Sequence, residues 1–190
     1  MENSLPRATS TSTWRLKLTL YLNYFIHGMG LIILAQNMPA LAASWQVPLA
    51  TVSFVISGVG IGRLIGYPLT GRFADRFSRR TFVALGMACY LLFALGMLAH
   101  PAVWLAYGLA ILAGVANAAL DAGTYPLLVE LSAGKGSGTV LLKGAMSAGE
   151  FVLPLLVASL TTHHWWFGWS FLFFAALLLA NFANLANLGP

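Results

Sequence analysis

Four ionisable side chains lie deep inside long apolar stretches of a chain in which only 8% of the residues are charged. They are His27, Arg63, Asp121 and Glu150. Ionisable residues inside membrane-spanning helices are energetically costly, and they usually face a cavity or a partner of opposite charge. These four positions are therefore the first candidates for a functional site.

Arg63 and Asp121 are predicted to lie at the same depth. With about 1.5 Å of helical rise per residue, Arg63 is about 12 Å from the end of its helix at Gly71. By the same count, Asp121 is about 13 to 14 Å from Glu130 on a helix running in the same direction. Opposite charges compensate each other where water is scarce, so this spacing predicts an ion pair between Arg63 and Asp121. Direct binding of a solute or a proton is the alternative, and the sequence leaves both open.

Glu150 and His27 are both predicted near the middle of the membrane, where they could meet. A carboxyl group with little water around it can take up a proton near neutral pH, which suits Glu150 to the role of a proton carrier. Histidine titrates near neutral pH when it is unperturbed, so His27 is a candidate relay. The alternative is structural, with Glu150 bonded to His27 or to a neighbouring amide.

Further polar residues share helical faces with these ionisable ones. Three polar faces on three helices predict one water-accessible cavity, with Asp121 and Glu150 as the proton-coupling residues. The faces are formed by Asn23 and His27; by Asn117, Asp121 and Tyr125; and by Lys143, Ser147, Glu150 and Pro154.

The composition requires a membrane environment. Hydrophobic residues make up 59% of the 190, and Asp and Glu together number five, which is not typical of a water-soluble domain. The arginines lie at the ends of apolar segments, so membrane orientation explains the net charge of +5 better than nucleic-acid binding does. A single cysteine, Cys89, excludes a disulfide or thiolate metal site within the chain. No metal site, cofactor or enzymatic nucleophile and base is predicted.

A spanning helix needs about 20 mostly apolar residues, and the sequence divides into six such segments. The predicted fold is therefore an all-α integral membrane domain over residues 14–190, after a tail over residues 1–13. Gly58, Gly62 and Gly66 recur every four residues, which predicts close packing of the second helix against another. The predicted helices cover residues 14–36, 48–70, 81–99, 102–129, 139–160 and 166–188.

Lys and Arg residues predict the orientation. They occur in the tail and around its junction with the first helix, and in the connections after the second and fourth helices, whereas the other three connections contain none. Because cytoplasmic loops carry an excess of positive charge, both termini are predicted to be cytoplasmic in a multi-pass protein of the inner or plasma membrane. Cleavage of a signal peptide after Ala40-Leu41-Ala42 is the alternative, but the first apolar stretch is longer than a secretory core.

The connection after the second helix reads GRFADRFSRR over residues 71–80. It resembles the signature loop of the major facilitator superfamily, approximately G-x-x-x-D-[RK]-x-G-[RK]-[RK], and it falls between the second and third of six helices as that family requires. Ser78 stands where the family usually has glycine. The matching residues are Gly71, Asp75, Arg76, Arg79 and Arg80.

The resemblance implies that the chain is the N-terminal six-helix half of a secondary transporter, built as a 3+3 inverted repeat, with solute bound between two halves. It also implies that the matching loop residues act as a conformational latch, with a role as topology anchors as the alternative. The partners are then a small solute, protons, membrane lipid and a missing C-terminal half or a second chain. The region from Asn117 to Asp121 is similar to sugar:proton symporters of the family.

The residues expected to contact solute are Asn23, His27, Asn117 and Asp121, with Tyr24 or Tyr125. Proton-coupled transport by alternating access is the leading functional hypothesis. The alternatives are a drug or metabolite:proton antiporter, and a half-size fragment or interaction protein that transports nothing by itself.

Overall fold

A computed structural model describes residues 10–73, 76–132 and 137–187 as seven α-helices, with no strand in these ranges. Six of the helices are long and apolar enough to cross a membrane. The predicted all-α membrane fold with six spans is therefore confirmed. The helices are α1 Ser10–Gln36, α2 Met38–Trp45, α3 Leu49–Phe73, α4 Arg79–Leu98, α5 Val103–Leu131, α6 Ser137–Thr162 and α7 Gly168–Asn187.

The short helix α2 was not predicted, because residues 37–47 were interpreted as an irregular connection. Pro39 lies just beyond the predicted end of the first helix at residue 36, and proline also fits the first turn of a new helix, where its missing N–H has no bond to make. It occupies that position in α2. Gln46 then ends α2 in a left-handed conformation, with φ of 55°. The other difference is that α1 begins at Ser10, before the predicted start at Trp14.

The small-residue face of α3 packs against α5 as predicted. The two backbones approach most closely at Gly62, where an added Cβ would overlap the carbonyl oxygen of Ile111. The contact is reciprocal, because a Cβ on Gly114 would overlap the carbonyl oxygen of Val59. Only glycine fits at such a crossing. All three glycines of the predicted face are buried: Gly58, Gly62 and Gly66.

A second crossing of the same kind joins α1 to α6. A Cβ on Gly28 would overlap the carbonyl oxygen of Met146, and one on Gly149 would overlap that of Phe25. The residues that follow Gly62 and Gly149 in the chain are Arg63 and Glu150. Each of these ionisable residues therefore starts from a backbone position that is fixed by contact with a neighbouring helix.

The N-terminus of α4 is capped by Ser78, the residue that departs from the family pattern. Its hydroxyl accepts a hydrogen bond from the backbone N–H of Thr81 at 3.2 Å, and its backbone is extended. A serine at this position satisfies one of the N–H groups that a helix start leaves unpaired. The departure from glycine therefore adds a side-chain cap to the helix.

We expect Ser78→Ala to lower the free energy of unfolding by about 1 kcal/mol, because alanine cannot accept the bond. Ser78→Gly, which restores the residue usual in the family, should cost only a few tenths of a kcal/mol. Thermal unfolding of the two detergent-solubilised variants measures the difference. Equal stability of the alanine variant and the native protein would contradict the assigned cap.

Candidate functional site

A chain of hydrogen bonds crosses the bundle at mid-depth and joins four helices. It begins on α3, where Nη2 of Arg63 donates to Oδ1 of Asn117 on α5 at 3.1 Å. Nδ2 of Asn117 donates to the hydroxyl of Tyr90 on α4 at 3.2 Å. That hydroxyl lies 3.1 Å from Nδ1 of His27 on α1. His27 and Asn117 are both buried, so this series of hydrogen bonds links the centre of the bundle to Arg63 near its surface.

Asp121 lies one helical turn beyond Asn117 on α5 and is held by two tyrosines. Tyr67 of α3 donates its hydroxyl to Oδ2 of Asp121 at 2.7 Å. Tyr24 of α1 donates to the other carboxylate oxygen, Oδ1. Hydrogen bonds to a charged group are stronger than those between neutral groups. The carboxylate is thus oriented by two donors from two different helices.

The predicted ion pair between Arg63 and Asp121 is not formed. Arg63 is bonded to Asn117, and both oxygens of Asp121 accept from tyrosines. The ion pair recorded within the described ranges joins Nε of Arg79 to Oε1 of Glu130 at 2.7 Å. α3 ends at Phe73 and α5 at Leu131, so Arg63 and Asp121 lie at matching distances from the ends of their helices. Equal depth does not decide which of two residues one turn apart is contacted, and the guanidinium of Arg63 meets Asn117 instead of Asp121.

Tyr125 lies beside this site and makes aromatic contacts. Its ring meets that of Tyr24 edge to face, with 5.4 Å between the centroids. The ammonium of Lys143, from α6, lies 5.2 Å from the centroid of the same ring, within the range of a cation–π interaction. Tyr125 therefore connects the predicted polar face of α6 to Asp121 through Tyr24.

Asn23 and Glu150 do not join the network. Asn23 is buried, and neither atom of its amide has a hydrogen-bond partner. Glu150 is half-buried on α6. Its predicted contact with His27 is not formed, because the side-chain hydrogen bond recorded for His27 is with Tyr90. Asn23 and Glu150 thus remain candidates without a recorded hydrogen-bond partner in the described part of the chain.

The predicted latch residues lie at the end of the bundle where α3 ends and α4 begins. Gly71 is in the last turn of α3, Arg76 follows that helix, and Arg79 and Arg80 form the first turn of α4. Arg79 pairs with Glu130 near the end of α5, and both side chains are largely exposed. Asp75 lies outside the described residues, so the latch stays a prediction.

Sequence reasoning missed Tyr67 and Tyr90, which supply two of the hydrogen bonds at the site. Tyrosine in an apolar run is typical of ordinary helix packing, so neither residue drew attention. One signal was available for Tyr67: it follows Arg63 by four positions and therefore lies on the same helical face. No comparable pattern identifies Tyr90.

The six spanning helices, the glycine-mediated crossing of α3 with α5 and the mid-depth polar network define an α-helical membrane domain. The family model described as "Major Facilitator Superfamily" matches residues 20–188, and the chain belongs to that family. No solved structure gave a significant match.

Relatives of this chain include proteins named as transporters. The chain is 45% identical over 165 residues to "Inner membrane transport protein YdiM" of Escherichia coli strain K12, covering 86% of this chain and 41% of the relative. It is 41% identical to "Uncharacterized MFS-type transporter YfkL" of Bacillus subtilis strain 168, covering 89% of this chain and 43% of the relative. It is 40% identical to "Inner membrane transport protein YdiN" of Escherichia coli strain K12, covering 86% and 39%. The chain thus spans about two fifths of the length of these curated relatives.

Proposed function

We propose that this chain is the N-terminal half of a secondary transporter that moves a small solute across the inner membrane by alternating access, coupled to protons. Both termini are cytoplasmic in this proposal, and a C-terminal six-helix half supplies the opposite wall of the solute pathway. The observation that supports it is the mid-depth network, in which Arg63 and Asp121 are both held by neutral hydrogen-bonding groups rather than by each other.

The geometry supports a division of roles. His27 and Asn117 are buried and bonded, so they orient the groups around them. Asp121 and Tyr67 lie nearer the surface of the bundle, where a solute could reach them. A carboxylate whose two donors are hydroxyl groups can exchange those bonds for bonds to a solute or accept a proton. Asp121 is therefore a proposed solute- and proton-binding residue.

Glu150 is the second proposed proton carrier. It is half-buried beside the α1–α6 crossing, and no hydrogen bond or ion pair of its side chain is recorded in the described ranges. A carboxyl group without a fixed partner can bind and release a proton as water reaches it from either side. This supports Glu150 as a carrier between the two faces of the membrane.

The test is Glu150→Gln in the complete protein, reconstituted in proteoliposomes. We expect accumulation driven by a proton gradient to be lost, because a carboxamide cannot carry a proton, while solute exchange without a gradient persists. The matched control is Glu2→Gln, the same chemical change in the predicted N-terminal tail. Proton-driven accumulation at the native rate in the Glu150 variant would show that the carrier is elsewhere.

Antiport of a drug or metabolite against protons is the second candidate. It is supported by a 25% identity over 138 residues to "Multidrug resistance protein 2" of Bacillus subtilis strain 168. The direction of proton flux on addition of solute separates the two, since symport acidifies the proteoliposome lumen and antiport makes it more alkaline. Absence of both solute flux and proton flux in the complete protein would contradict both candidates and favour a protein that does not transport.

A further inference from the structure

A cleft of about 320 Å³ opens between α1 and α3 beside Arg63. Arg63 is the one charged residue in its lining, and the rest of the wall is apolar or glycine. This combination of a single cation and an apolar wall is distinct from the tyrosine-lined surroundings of Asp121. The other lining residues are Gly30, Leu31, Leu34, Ile56, Val59 and Gly60.

The positive charge of Arg63 has no anionic partner in direct contact. Its recorded hydrogen bond goes to the neutral amide of Asn117, and no carboxylate of the described residues lies within 4.0 Å of it. The Nε atom is buried and has no hydrogen-bond partner. Asp121 lies one turn beyond Asn117 on α5, but both of its carboxylate oxygens accept hydrogen bonds from tyrosines.

A guanidinium inside a membrane span is stabilised by an anion, and its planar fork of N–H donors matches the two oxygens of a carboxylate. Asn117 occupies one terminal nitrogen and fixes the plane of the group. The other terminal nitrogen, Nη1, makes no hydrogen bond within the described ranges and is not fully buried, so it remains accessible. Arg63 is thus pre-oriented to bind an anion.

We propose that Arg63 binds the carboxylate of a small organic anion whose apolar body fills the cleft between α1 and α3. This deepens the proposed transport function and rests on it, because the cleft becomes a solute site only when a second half covers it. The solute class is then a carboxylate with an aliphatic or aromatic body, in place of the sugar suggested by the sequence.

Gly60 sets the size of that body. A Cβ added at Gly60 meets nothing within 4 Å, so the space above it is open and belongs to the cleft. Gly60→Leu would fill this space without disturbing a helix contact. Gly108 on α5 is the matched control, since it is exposed, has the same empty surroundings and does not line the cleft.

The probes are acetate, butyrate, benzoate and 3-phenylpropionate, each paired with its neutral amide, and the readout is the melting temperature of the complete purified protein. We expect the aromatic carboxylates to raise it and the amides to leave it unchanged. Arg63→Gln should weaken the binding of benzoate at least about tenfold, the loss expected for a hydrogen bond to a charged group. Arg63→Lys keeps the positive charge but loses the planar fork of donors. Its affinity for benzoate should therefore lie between that of the native protein and that of Arg63→Gln.

Gly60→Leu should abolish stabilisation by 3-phenylpropionate, whereas Gly108→Leu should leave it as in the native protein. The inference is wrong if the amides stabilise as well as the acids, if no carboxylate of the series stabilises, or if Arg63→Gln binds benzoate normally. The result that no carboxylate of the series stabilises the protein is expected if a carboxylate from the C-terminal half already pairs with Arg63.

Transport assays separate this inference from the proposed function. Proton-coupled uptake of a neutral solute, without carboxylate binding, would remove the carboxylate assignment and keep the transporter. Carboxylate binding that depends on Arg63, without uptake of any bound acid, would keep the site and contradict transport. Uptake of a bound carboxylate that Arg63→Gln abolishes would support both.

Discussion

Asp121→Asn is expected to reduce the initial rate of solute uptake by about ten- to a hundredfold, the equivalent of one lost hydrogen bond to a charged group. In the native site both carboxylate oxygens accept bonds from tyrosine hydroxyls. The amide nitrogen of asparagine cannot accept, so Tyr24 or Tyr67 loses its acceptor. The substitution also removes the negative charge one turn along α5 from Asn117, the partner of Arg63, so part of the loss comes from a less stable network.

Two further variants separate these effects. Tyr67→Phe removes one donor at a residue that is 45% exposed, so it should slow uptake while leaving the melting temperature nearly unchanged. Tyr24→Phe removes the other donor at a fully buried residue and should lower both. Uptake by the Asp121 variant at the native rate, with normal folding, would exclude the carboxylate from solute and proton binding.

The fold could be predicted because the features that determine it, apolar spans and the spacing of small residues, are visible along the sequence itself. A bilayer requires about 20 apolar residues in each span and leaves polar residues for the connections, so six spans can be found by inspection. Small residues at every fourth position likewise predict a close helix contact, as α3 and α5 show at Gly62. Neither argument needs to know which helix is the neighbour.

The details of the site could not be predicted in the same way. Arg63 and Asp121 were predicted to lie at a similar depth, but a shift of one turn decides whether Arg63 meets Asp121 or Asn117. Helical spacing also placed Asn23 and His27 on one face, yet His27 bonds to Tyr90, while the amide of Asn23 has no hydrogen-bond partner among the described residues. Which of two residues on a face finds a partner depends on the side chains of another helix, and one helix's periodicity does not contain that information.

Gly62→Ala and Gly60→Ala, the same substitution two positions apart on α3, are expected to have opposite effects on stability. At position 60 the new methyl group meets open space, so alanine should stabilise the helix by about 1 kcal/mol through its higher helix propensity. At position 62 the methyl group would overlap the carbonyl oxygen of Ile111. A backbone carbonyl cannot rotate away as a flexible side chain can, so α3 and α5 must separate, at a cost of about 1 to 3 kcal/mol.

Thermal unfolding of the two detergent-solubilised variants tests this contrast, and a third variant tests its cause. Gly114→Ala presses on Val59 from the other side of the same crossing. Once one methyl group has separated the helices, the second has less to displace, so the double variant with Gly62→Ala should lose less stability than the sum of the single losses. Additive losses would mean that the two glycines act at independent contacts.

The crossing is also expected to control the proposed binding site. Arg63 follows Gly62, and Asn117 lies one turn beyond Gly114, so separating α3 from α5 stretches the 3.1 Å bond between them. Gly62→Ala should therefore weaken benzoate binding as well as stability, even at temperatures where the protein stays folded, whereas Gly60→Ala should not disturb that bond. A glycine that makes no contact with solute would then set the orientation of the guanidinium that does.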